Sequence, residues 1–531
     1  MKFNTFFPNW KATNNHAEKG YEILKQEGRL NLLSEIRSDL LNTDFNFNNG
    51  NKLFFGEEYL RSNFLCKQFL FSNLITIEFN KAILASVYNR KPIFYPIPPL
   101  WQGVLINNGV YISKFWCNIA WLTFVSEHLI SGLLHIVRTV IYSIKLMGAS
   151  EVAFSKPHSY FFNLSQSSLF LDENNFNSRN VLSWYMTLKG NQDFILMHQV
   201  NSLCSDFSFN NYVVSYNSHF LAPITSFKGL FNYFFWGIKS TSFAFFNLLI
   251  GKWLFPLFLS ESALLAHVNF IDKNLLAKDF LFNNSSAFYR PLWSYLAEKR
   301  GSVILFYFYS IPTFDNVIYM EKQKELIINN ILLSWSTYFV WNDNYGDYLR
   351  KFIGDMPNII SSGPILLSDS LVEFNVPKNK SISVFDIQPF RNDFFRFLGL
   401  AEEYYTPDIA IRFLSDIKTV LSEFGLILVH KRKRDVPKLV HPTYNIFLEE
   451  QKEDGFISIQ PEISALKVIE KSIAVISMPF TSTAFLGTWK NKPSIYYDPT
   501  GLVSKNNPSS NDIPVINGIE ELRIWVKNII Q

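Results

Sequence analysis

The sequence predicts an α/β protein built from two successive parallel sheets. Beyond residue 302, short apolar segments that suit buried strands alternate with segments of helical apolar spacing. This β-α-β order predicts parallel strands with helices packed on the sheet faces. A polar stretch at 369–380, which contains Pro377 and clustered Asn and Lys, interrupts the alternation once. We therefore expect two domains, an N-terminal one at 1–375 and a C-terminal one at 376–531.

The regular pattern of the N-terminal domain starts late in the chain. It predicts strands at 302–310, 338–341 and 358–360. Helices are expected between them at 319–333 and 346–353. Each strand is followed by polar residues or by Gly-Pro, which is typical of the edge of a sheet where loops begin.

The C-terminal domain shows the same alternation. The predicted strands are 382–385, 426–429, 456–459, 473–478 and 493–497. The predicted helices are 408–424, 463–470, 484–490 and 519–529. Strands buried on both faces read as continuous apolar runs, so a parallel sheet is expected here as well.

Helical and aromatic insertions precede the regular pattern in the N-terminal half. Residues 116–147 are mostly apolar, but their charge-free runs are shorter than the ~20 residues of a spanning helix, so a buried helix or helix pair is expected. Residues 229–260 are rich in Phe, and their charges are all basic. They suit either a segment in the interface of an anionic membrane or a pair of buried helices, and both alternatives stay open. Short strands are expected at 101–105 and 110–112.

Composition excludes several classes of protein. Hydrophobic residues make up 48% of the chain and charged residues 18%, with a net charge of +4, which argues against a disordered or nucleic-acid-binding protein. Cys66, Cys117 and Cys204 are far apart, which argues against a disulfide framework or a zinc site. The first residues lack an apolar signal-peptide core, so we expect a cytoplasmic protein.

One strand–helix junction could bind an anion. The strand at 473–478 runs into Pro479-Phe480-Thr481-Ser482-Thr483, and a helix follows. A helix N-terminus offers free amide groups and the positive end of the helix dipole, and parallel sheets bind ligands at this edge. The alternative is that Ser482 or Thr483 merely caps the helix.

The junction also carries a resemblance to a known family. Residues 477–484, Ser-Met-Pro-Phe-Thr-Ser-Thr-Ala, and residues 492–498, Lys-Pro-Ser-Ile-Tyr-Tyr-Asp, resemble the bacterial surface-polysaccharide biosynthesis family named for its PFTS motif. The resemblance extends back through 290–363. It implies a GT-B-like architecture of two Rossmann-like domains, with the donor nucleotide in the C-terminal one and Phe480, Thr481, Ser482 and Thr483 at the donor.

A second candidate for the donor phosphate is the basic cluster Lys431-Arg432-Lys433-Arg434, which follows a predicted buried strand. Clustered cations at the carboxyl end of a strand suit a phosphate, and Arg offers a bidentate fork. Family members have a Lys and an Arg here, which implies this role for Lys431 or Lys433 and for Arg434. The alternative is an ordinary solvated charge run.

Further donor contacts are implied by resemblance alone. His441-Pro442 resembles the His-Pro motif of bacterial sialyltransferases, in which the pair contacts a cytidine monophosphate donor; a plain turn is the alternative. GT-B enzymes often place a carboxylate near Glu462 to accept from ribose hydroxyls. Asp498, which ends the next strand, could do the same or cap a loop.

An inverting transfer needs a general base to deprotonate the acceptor hydroxyl. The candidates are Asp343, Asp347 and Asp386, and Asp343 is chosen because it follows a predicted strand of the N-terminal domain. The chain contains no D-x-D pair, so a metal-independent site is expected.

The resemblance and the residues together imply a metal-independent GT-B glycosyltransferase. It would move a sugar from a nucleotide-sugar donor to a lipid-linked or growing surface polysaccharide of O-antigen or capsule type, without a cofactor. The expected partners are the nucleotide sugar, a lipid-linked glycan acceptor and the cytoplasmic membrane surface, with no nucleic acid. A peripheral location on the inner face of the plasma membrane follows. A sugar-nucleotide epimerase of the same fold and a non-catalytic scaffold of polysaccharide assembly remain the alternatives.

Overall fold

The structure is a computed structural model. Among the residues that it describes, an eight-stranded sheet forms the core of the N-terminal unit. Those residues are 14–45, 51–89, 93–147, 154, 156–169, 179–190, 194–200, 207–209, 212–284, 289–312, 328–367, 374–376, 380–390, 396–397, 404–432, 439–451 and 455–531. The strands are β1 (His158–Phe161), β2 (Phe194–His198), β3 (Phe207–Phe209), β4 (Tyr212–Tyr216), β5 (Asp279–Asn283), β6 (Val303–Tyr307), β7 (Thr337–Val340) and β8 (Asn358–Ser361). Their order is β3-β4-β2-β1-β5-β6-β7-β8, and all neighbours are parallel except β3 and β4.

A second sheet forms the C-terminal unit. Within the described part of this unit, its strands are β9 (Ser381–Phe385), β10 (Ile427–Lys431), β11 (Phe456–Ile459), β12 (Ala474–Ser477), β13 (Ser494–Asp498) and β14 (Val515–Asn517). The order is β11-β10-β9-β12-β13-β14, and every neighbouring pair is parallel. Two sheets, one mainly and one wholly parallel, with helices between their strands confirm the predicted class, α/β with two Rossmann-like units.

Helices surround both sheets. The N-terminal unit contains α1 (Asn14–Gln26), α2 (Leu32–Asn42), α3 (Lys52–Phe55), α4 (Ser62–Leu74), α5 (Ile77–Asn89), α6 (Pro99–Asn107), α7 (Lys114–Leu146), α8 (Val181–Lys189), α9 (Phe227–Leu249), α10 (Leu254–Phe270), α11 (Leu292–Lys299), α12 (Ile328–Ile331) and α13 (Asp343–Ile353). The C-terminal unit contains α14 (Pro407–Glu423), α15 (Pro442–Glu450), α16 (Ala465–Glu470), α17 (Ser482–Trp489) and α18 (Gly518–Ile530). Short 3₁₀ turns occur at Gly56–Arg61, Gln166–Leu169, Lys273–Leu275 and Pro508–Ser510.

Most predicted elements of the regular pattern are present. The prediction of two short strands before that pattern, at 101–105 and 110–112, is wrong. Residues 101–105 belong to α6, and 110–112 contribute only a bridge from Ile112 to Ile93. Pro99 starts the helix, because its fixed φ suits the first helical turn. Most of the predicted helix at 319–333 lies outside the described residues.

Three helices form a layer on the N-terminal unit. The α7 helix is continuous over 33 residues and runs parallel to α10: Trp121 contacts Trp253, and further along, the His135 and His267 rings lie 6.3 Å apart. The α9 helix returns beside α7 in the opposite direction. The buried helix expected at 116–147 is therefore buried on one face only. The segment at 229–260 is two helices, of which α10 is buried and α9 half exposed.

Length and composition alone would let some described helices cross a membrane. The α7 helix passes this test, with 22% of its most apolar window buried. The stretch Lys52–Leu74 passes only together with Ile77–Tyr88, from which it is bent by 73°. Core helices of soluble proteins pass the same test. Whether α7 crosses a membrane must therefore be judged from its packing and not from its composition.

Replacing Gly132 by Ala is expected to destabilise the protein. A Cβ at Gly132 would lie 2.7 Å from the Ser260 backbone nitrogen and 2.7 Å from Leu259 Cγ, so α7 and α10 would have to separate. We expect the free energy of unfolding to fall by about 1–3 kcal/mol in urea denaturation. The matched control is Gly103→Ala on α6, where a Cβ meets open space and a gain of about 0.5–1 kcal/mol is expected. Equal effects at both positions would contradict the close packing.

Candidate functional site

The carboxyl ends of the two sheets face each other, and the loops that follow their strands are in contact. The Ile311 amide, in the loop after β6, donates to Ser482 Oγ at 3.0 Å. In the loop after β7, Trp341 packs against Phe485 of α17 with 5.9 Å between ring centroids. Open α/β sheets bind ligands at the carboxyl ends of their strands. The interface between the units therefore combines this edge of both sheets.

Aromatic residues hold the turn between β12 and α17. Phe480 adopts φ of 45°, a left-handed conformation that is strained for a residue with a side chain. Its ring is buried and packs edge-on against Tyr496. The Tyr496 hydroxyl donates to Thr481 O at 3.1 Å, and the Tyr405 hydroxyl donates to Pro479 O at 2.8 Å. Phe480 thus shapes the turn from the core side.

Three hydroxyl groups lie together at the start of α17. Thr483 Oγ1 lies 2.9 Å from Ser477 Oγ and 3.0 Å from Thr481 Oγ1. Thr481 occupies the N-cap position, yet its side chain makes no capping bond and instead donates to Met478 O at 3.1 Å. The first-turn amides therefore receive no cap from Thr481. Ser482 lies inside the helix and contacts the other unit, so simple capping does not describe these residues. An anion would satisfy the first-turn amides.

A buried Asp-His-Tyr cluster lies at the same edge of the C-terminal sheet. Asp386 follows β9 directly, and its Oδ1 lies 3.2 Å from His430 Nε2 on the neighbouring β10. The Tyr444 hydroxyl, from α15, donates to the other carboxylate oxygen. Burial, and then the nearby Asp386 carboxylate, raise the pKa of Tyr444 well above its usual value. His430 Nδ1 is buried and has no hydrogen-bond partner among the described residues.

Replacing Asp386 by Ala is expected to reduce stability strongly, because it removes the shared acceptor of His430 and Tyr444. Breaking a buried polar pair in this way costs about 3 kcal/mol or more. Urea denaturation measures the loss, and the matched control Asp355→Ala at an exposed turn should stay within about 0.5 kcal/mol of the wild type. A loss no larger than that of the control would show that Asp386 does not hold the cluster.

The basic cluster at 431–434 is described in part. Lys431 is 8% exposed, and its Nζ donates to Arg432 O at 3.0 Å and to Pro461 O at 3.3 Å. The ammonium therefore ties the loop after β10 to the loop after β11. Arg432 Nε is buried without a hydrogen-bond partner among the described residues. The sequence analysis assigned no phosphate contact to Arg432. Lys433 and Arg434 lie outside the described residues, so their role stays a prediction.

His441 and Glu462 follow neighbouring strands of the same sheet edge. The His441 amide donates to Pro389 O, in the loop after β9, at 2.9 Å. Glu462 is exposed in the turn after β11, and α16 begins later than predicted, because Ser464 accepts from the Leu466 amide and caps it there. For both side chains, contact with the donor stays a prediction.

The other carboxylates differ in their surroundings. Asp343, the predicted base, is exposed in the first turn of α13 and accepts from the Ser361 hydroxyl. Asp347 is also exposed and pairs with an arginine on its own helix. Asp498 accepts from Tyr404 OH at 2.7 Å and from amides of its own loop, which is the loop-capping role.

A family comparison identifies the group to which the chain belongs. The model of the family described as "Polysaccharide biosynthesis PFTS motif protein" matches residues 241–526, more than half of the chain. The chain is a member of this PFTS-motif family. The resemblance carried by residues 477–484 is thereby confirmed. A comparison with curated proteins finds no match.

Solved structures similar to this PFTS-motif protein include two whose titles name UDP or a UDP-linked sugar. The E. coli structure titled "Trehalose-6-phosphate from E. coli bound with UDP-2-fluoro glucose" matches at 8% identity and a TM-score of 0.37, covering 70% of this chain and 91% of that one. The S. aureus "MnaA-UDP co-structure" matches at 10% identity and a TM-score of 0.36, covering 71% and 88%.

Arg179 joins the two units of the PFTS-motif protein, and sequence reasoning missed it. Its guanidinium lies 5.0 Å from the centroid of the Trp489 ring, at the end of α17. Its Nη1 also donates to Ser362 O, in the loop after β8, at 3.0 Å. Partial burial lowers the pKa of Arg179, but a guanidinium remains charged at neutral pH. The motif helix is therefore held against the N-terminal unit at both of its ends.

A cavity of about 580 Å³ lies beside α13, between the units. It is lined by Asn344, Asp347, Tyr348, Lys351 and residues in the range 505–514. These later residues follow β13, whereas β10, which ends at Lys431, lies three strands or about 14 Å away across the sheet. None of the predicted donor residues that the structure describes lines this cavity. The PFTS turn follows β12, which lies between β10 and β13 in the sheet.

No metal-ligand group is present in the described parts of the chain: they contain no cluster of three or more His, Cys, Asp or Glu side chains that could hold an ion. Metal independence stays a prediction from the sequence. The groups available for a phosphate are instead the amides and hydroxyls at the start of α17 and the cations near the end of β10. Both are of the kind that can bind a phosphate directly.

Proposed function

We propose that the protein is a glycosyltransferase that moves a sugar from a nucleotide-sugar donor to a lipid-linked or growing surface polysaccharide. The family match supports a role in polysaccharide biosynthesis. The observation that carries the proposal is the PFTS turn: it places hydroxyl groups and a helix N-terminus that lacks a side-chain cap from Thr481 at the interface of the two units.

In this proposal the start of α17 holds the donor phosphate. A leaving phosphate gains from the helix dipole and from hydrogen bonds to first-turn amides. The Thr481 and Thr483 hydroxyls would rotate away from Met478 O and Ser477 Oγ to donate to the phosphate. The cations of the cluster at 431–434 would neutralise the charge from the neighbouring part of the sheet edge. Because Ser482 also contacts Ile311, donor binding and closure of the two units would be linked.

Asp343 is the proposed base for the acceptor hydroxyl. It lies at the carboxyl end of the N-terminal sheet, as a base opposite the donor should. It is exposed, and its Oδ1 accepts from the Ser361 hydroxyl. Asp386 is the weaker choice, because His430 and Tyr444 already occupy both of its carboxylate oxygens. The acceptor would reach Asp343 from the cytoplasmic membrane surface.

The test is a transfer assay with purified protein, a panel of UDP-, GDP- and CMP-linked sugars, and lipid extracts that contain lipid-linked glycans. The proposal predicts that one donor class releases its nucleotide and labels the lipid fraction, and that both outcomes require the acceptor. Conversion of the free nucleotide sugar without an acceptor would identify an epimerase instead. A well-folded protein that neither binds nor consumes any nucleotide sugar would be a scaffold.

A further inference from the structure

Two neighbouring helices of the N-terminal unit expose an unusual number of large apolar side chains. On α7 and at its end these are Phe115, Trp116, Leu122, Ile130, Leu133, Leu134, Val137, Ile141, Ile144 and Met147. On α9 and at its end they are Phe227, Phe231, Phe234, Phe235, Ile238, Phe245, Phe246, Leu249 and Ile250. Each is at least about one-third exposed. Aromatic side chains have roughly 150–250 Å² each, and the Phe and Trp residues in these two lists are about half exposed. These rings alone therefore expose on the order of 900 Å², above the largest patch of a typical soluble monomer.

The exposed side chains belong to one surface. The α9 helix packs directly on α7, where a Cβ at Gly237 would lie 2.7 Å from Ile136 Cγ2. The start of α9 lies near the end of α7, because the Ile224 amide donates to Ser143 Oγ at 3.0 Å. Close, antiparallel packing brings the two apolar stripes side by side. We call these exposed side chains of α7 and α9 the apolar face.

The exposed charges that α7, α9 and the turn after α9 carry all have one sign. The exposed ionisable side chains on the two helices and in the turn after α9 are Lys114, Arg138, Lys145, Lys228, Lys239 and Lys252. The only carboxylate in these segments is Glu127, which is half-buried, and burial raises the pKa of that carboxyl. Apolar residues bordered by cations suit the headgroup boundary of a bilayer that contains anionic lipid.

The packing of α7 indicates how this helix would be oriented at such a bilayer. Side chains that face the protein are buried from Cys117 to Ser143, nearly the whole helix, and they pack on α10, which is itself buried. A crossing helix would have to pull α10 and the sheet beneath it into the hydrocarbon. The exposed stripe, in contrast, can enter the headgroup and acyl boundary with α7 lying parallel to the membrane plane.

We propose that the apolar face is an in-plane docking surface for an anionic lipid bilayer, which holds the protein on the membrane without spanning it. The proposal stands on the exposure, charge and packing of α7 and α9 and does not depend on the donor site. It specifies the surface by which a protein of polysaccharide assembly would reach a lipid-linked acceptor.

The test is flotation of the full chain with phosphatidylcholine vesicles, with and without phosphatidylglycerol. The wild type is expected to float with the anionic vesicles and to dissociate as salt is raised. Phe231→Glu/Phe235→Glu places two acids on the apolar face and should weaken binding at least tenfold. The matched control Leu502→Glu/Ile524→Glu changes two equally exposed apolar residues of the C-terminal unit and should bind like the wild type. Lys228→Gln/Lys239→Gln should weaken binding to anionic vesicles about fivefold per charge.

Two further measurements keep the outcomes separate. Nucleotide binding without vesicles should be equal in the wild type and in Phe231→Glu/Phe235→Glu, so failure of the donor site and failure of the membrane surface are distinguishable. Vesicle binding that is absent in a folded wild type, or unchanged in the Glu variant, would overturn the proposal. So would size-exclusion chromatography showing a wild-type dimer that the Glu variant dissociates, because the apolar face would then be a self-association surface.

Discussion

Ser482→Asp is expected to weaken nucleotide binding strongly while leaving the protein folded. The carboxylate would stand in the first turn of α17, where the donor phosphate is proposed to bind, and like charges at such a distance cost several kcal/mol, or about 10²–10³ in Kd. The helix dipole stabilises an acidic side chain in the first turn of a helix, so the protein should stay folded. It can still accept from the Ile311 amide, as Ser482 does.

The control for Ser482→Asp lies on the same helix. Thr488→Asp adds the same charge at the exposed opposite end of α17, and Kd for nucleotide should change less than about threefold. Isothermal titration calorimetry measures both variants. Normal nucleotide affinity in Ser482→Asp would remove the start of α17 from the donor site.

Asp343→Asn is expected to reduce kcat for sugar transfer by about 10²–10⁴, with the affinity for the donor unchanged. The amide cannot take a proton from the acceptor hydroxyl, and general-base catalysis contributes a factor of this size. The amide keeps the shape of the side chain and can still accept from Ser361, so stability should be preserved.

Asp347→Asn is the matched control for Asp343→Asn, because Asp347 is a second exposed carboxylate on the next turn of α13. Its kcat should stay within a factor of about three. If the two variants transfer sugar at similar rates, Asp343 is not the base, and Asp386 becomes the next candidate at this edge.

The parts of the fold that follow from local pattern were predictable. The strand at 473–478, the turn at Pro479 and the helix after Thr481 are encoded by one short stretch, and the structure places β12 and α17 there. The left-handed conformation of Phe480 was not predictable, because only the packing of Tyr496 and neighbouring residues requires it.

Features that depend on strand order were missed. Asp386 and His430 meet because β9 and β10 are neighbours, and Tyr444 joins them from α15. Apolar spacing reveals strands but not their order across the sheet. An Asp directly after one strand and a His near the end of another were the available signals, and they indicate a cluster only if the strands are adjacent.

The apolar face could not be assigned from composition. The buried α10 and the half-exposed α9 have similar apolar content in the sequence, so residues 229–260 fit both a membrane segment and a buried helix pair. Only the packing of α10 beneath α7 and α9 separates them. The strand predicted at 101–105 failed for a related reason: Trp101 and Leu105 are buried at helical spacing, and their alternation was too short to exclude a helix.

The central claim is that the interface of the two units binds a nucleotide sugar, and a thermal-shift screen of nucleoside mono- and diphosphates tests it most directly. A ligand at a hundredfold excess over Kd stabilises the folded protein by about 2.7 kcal/mol, which is readily measured. We expect a saturable shift with one of UDP, GDP or CMP, lost in Ser482→Asp and kept in Thr488→Asp. A well-folded wild type that shifts with no nucleotide would contradict the claim and favour the scaffold.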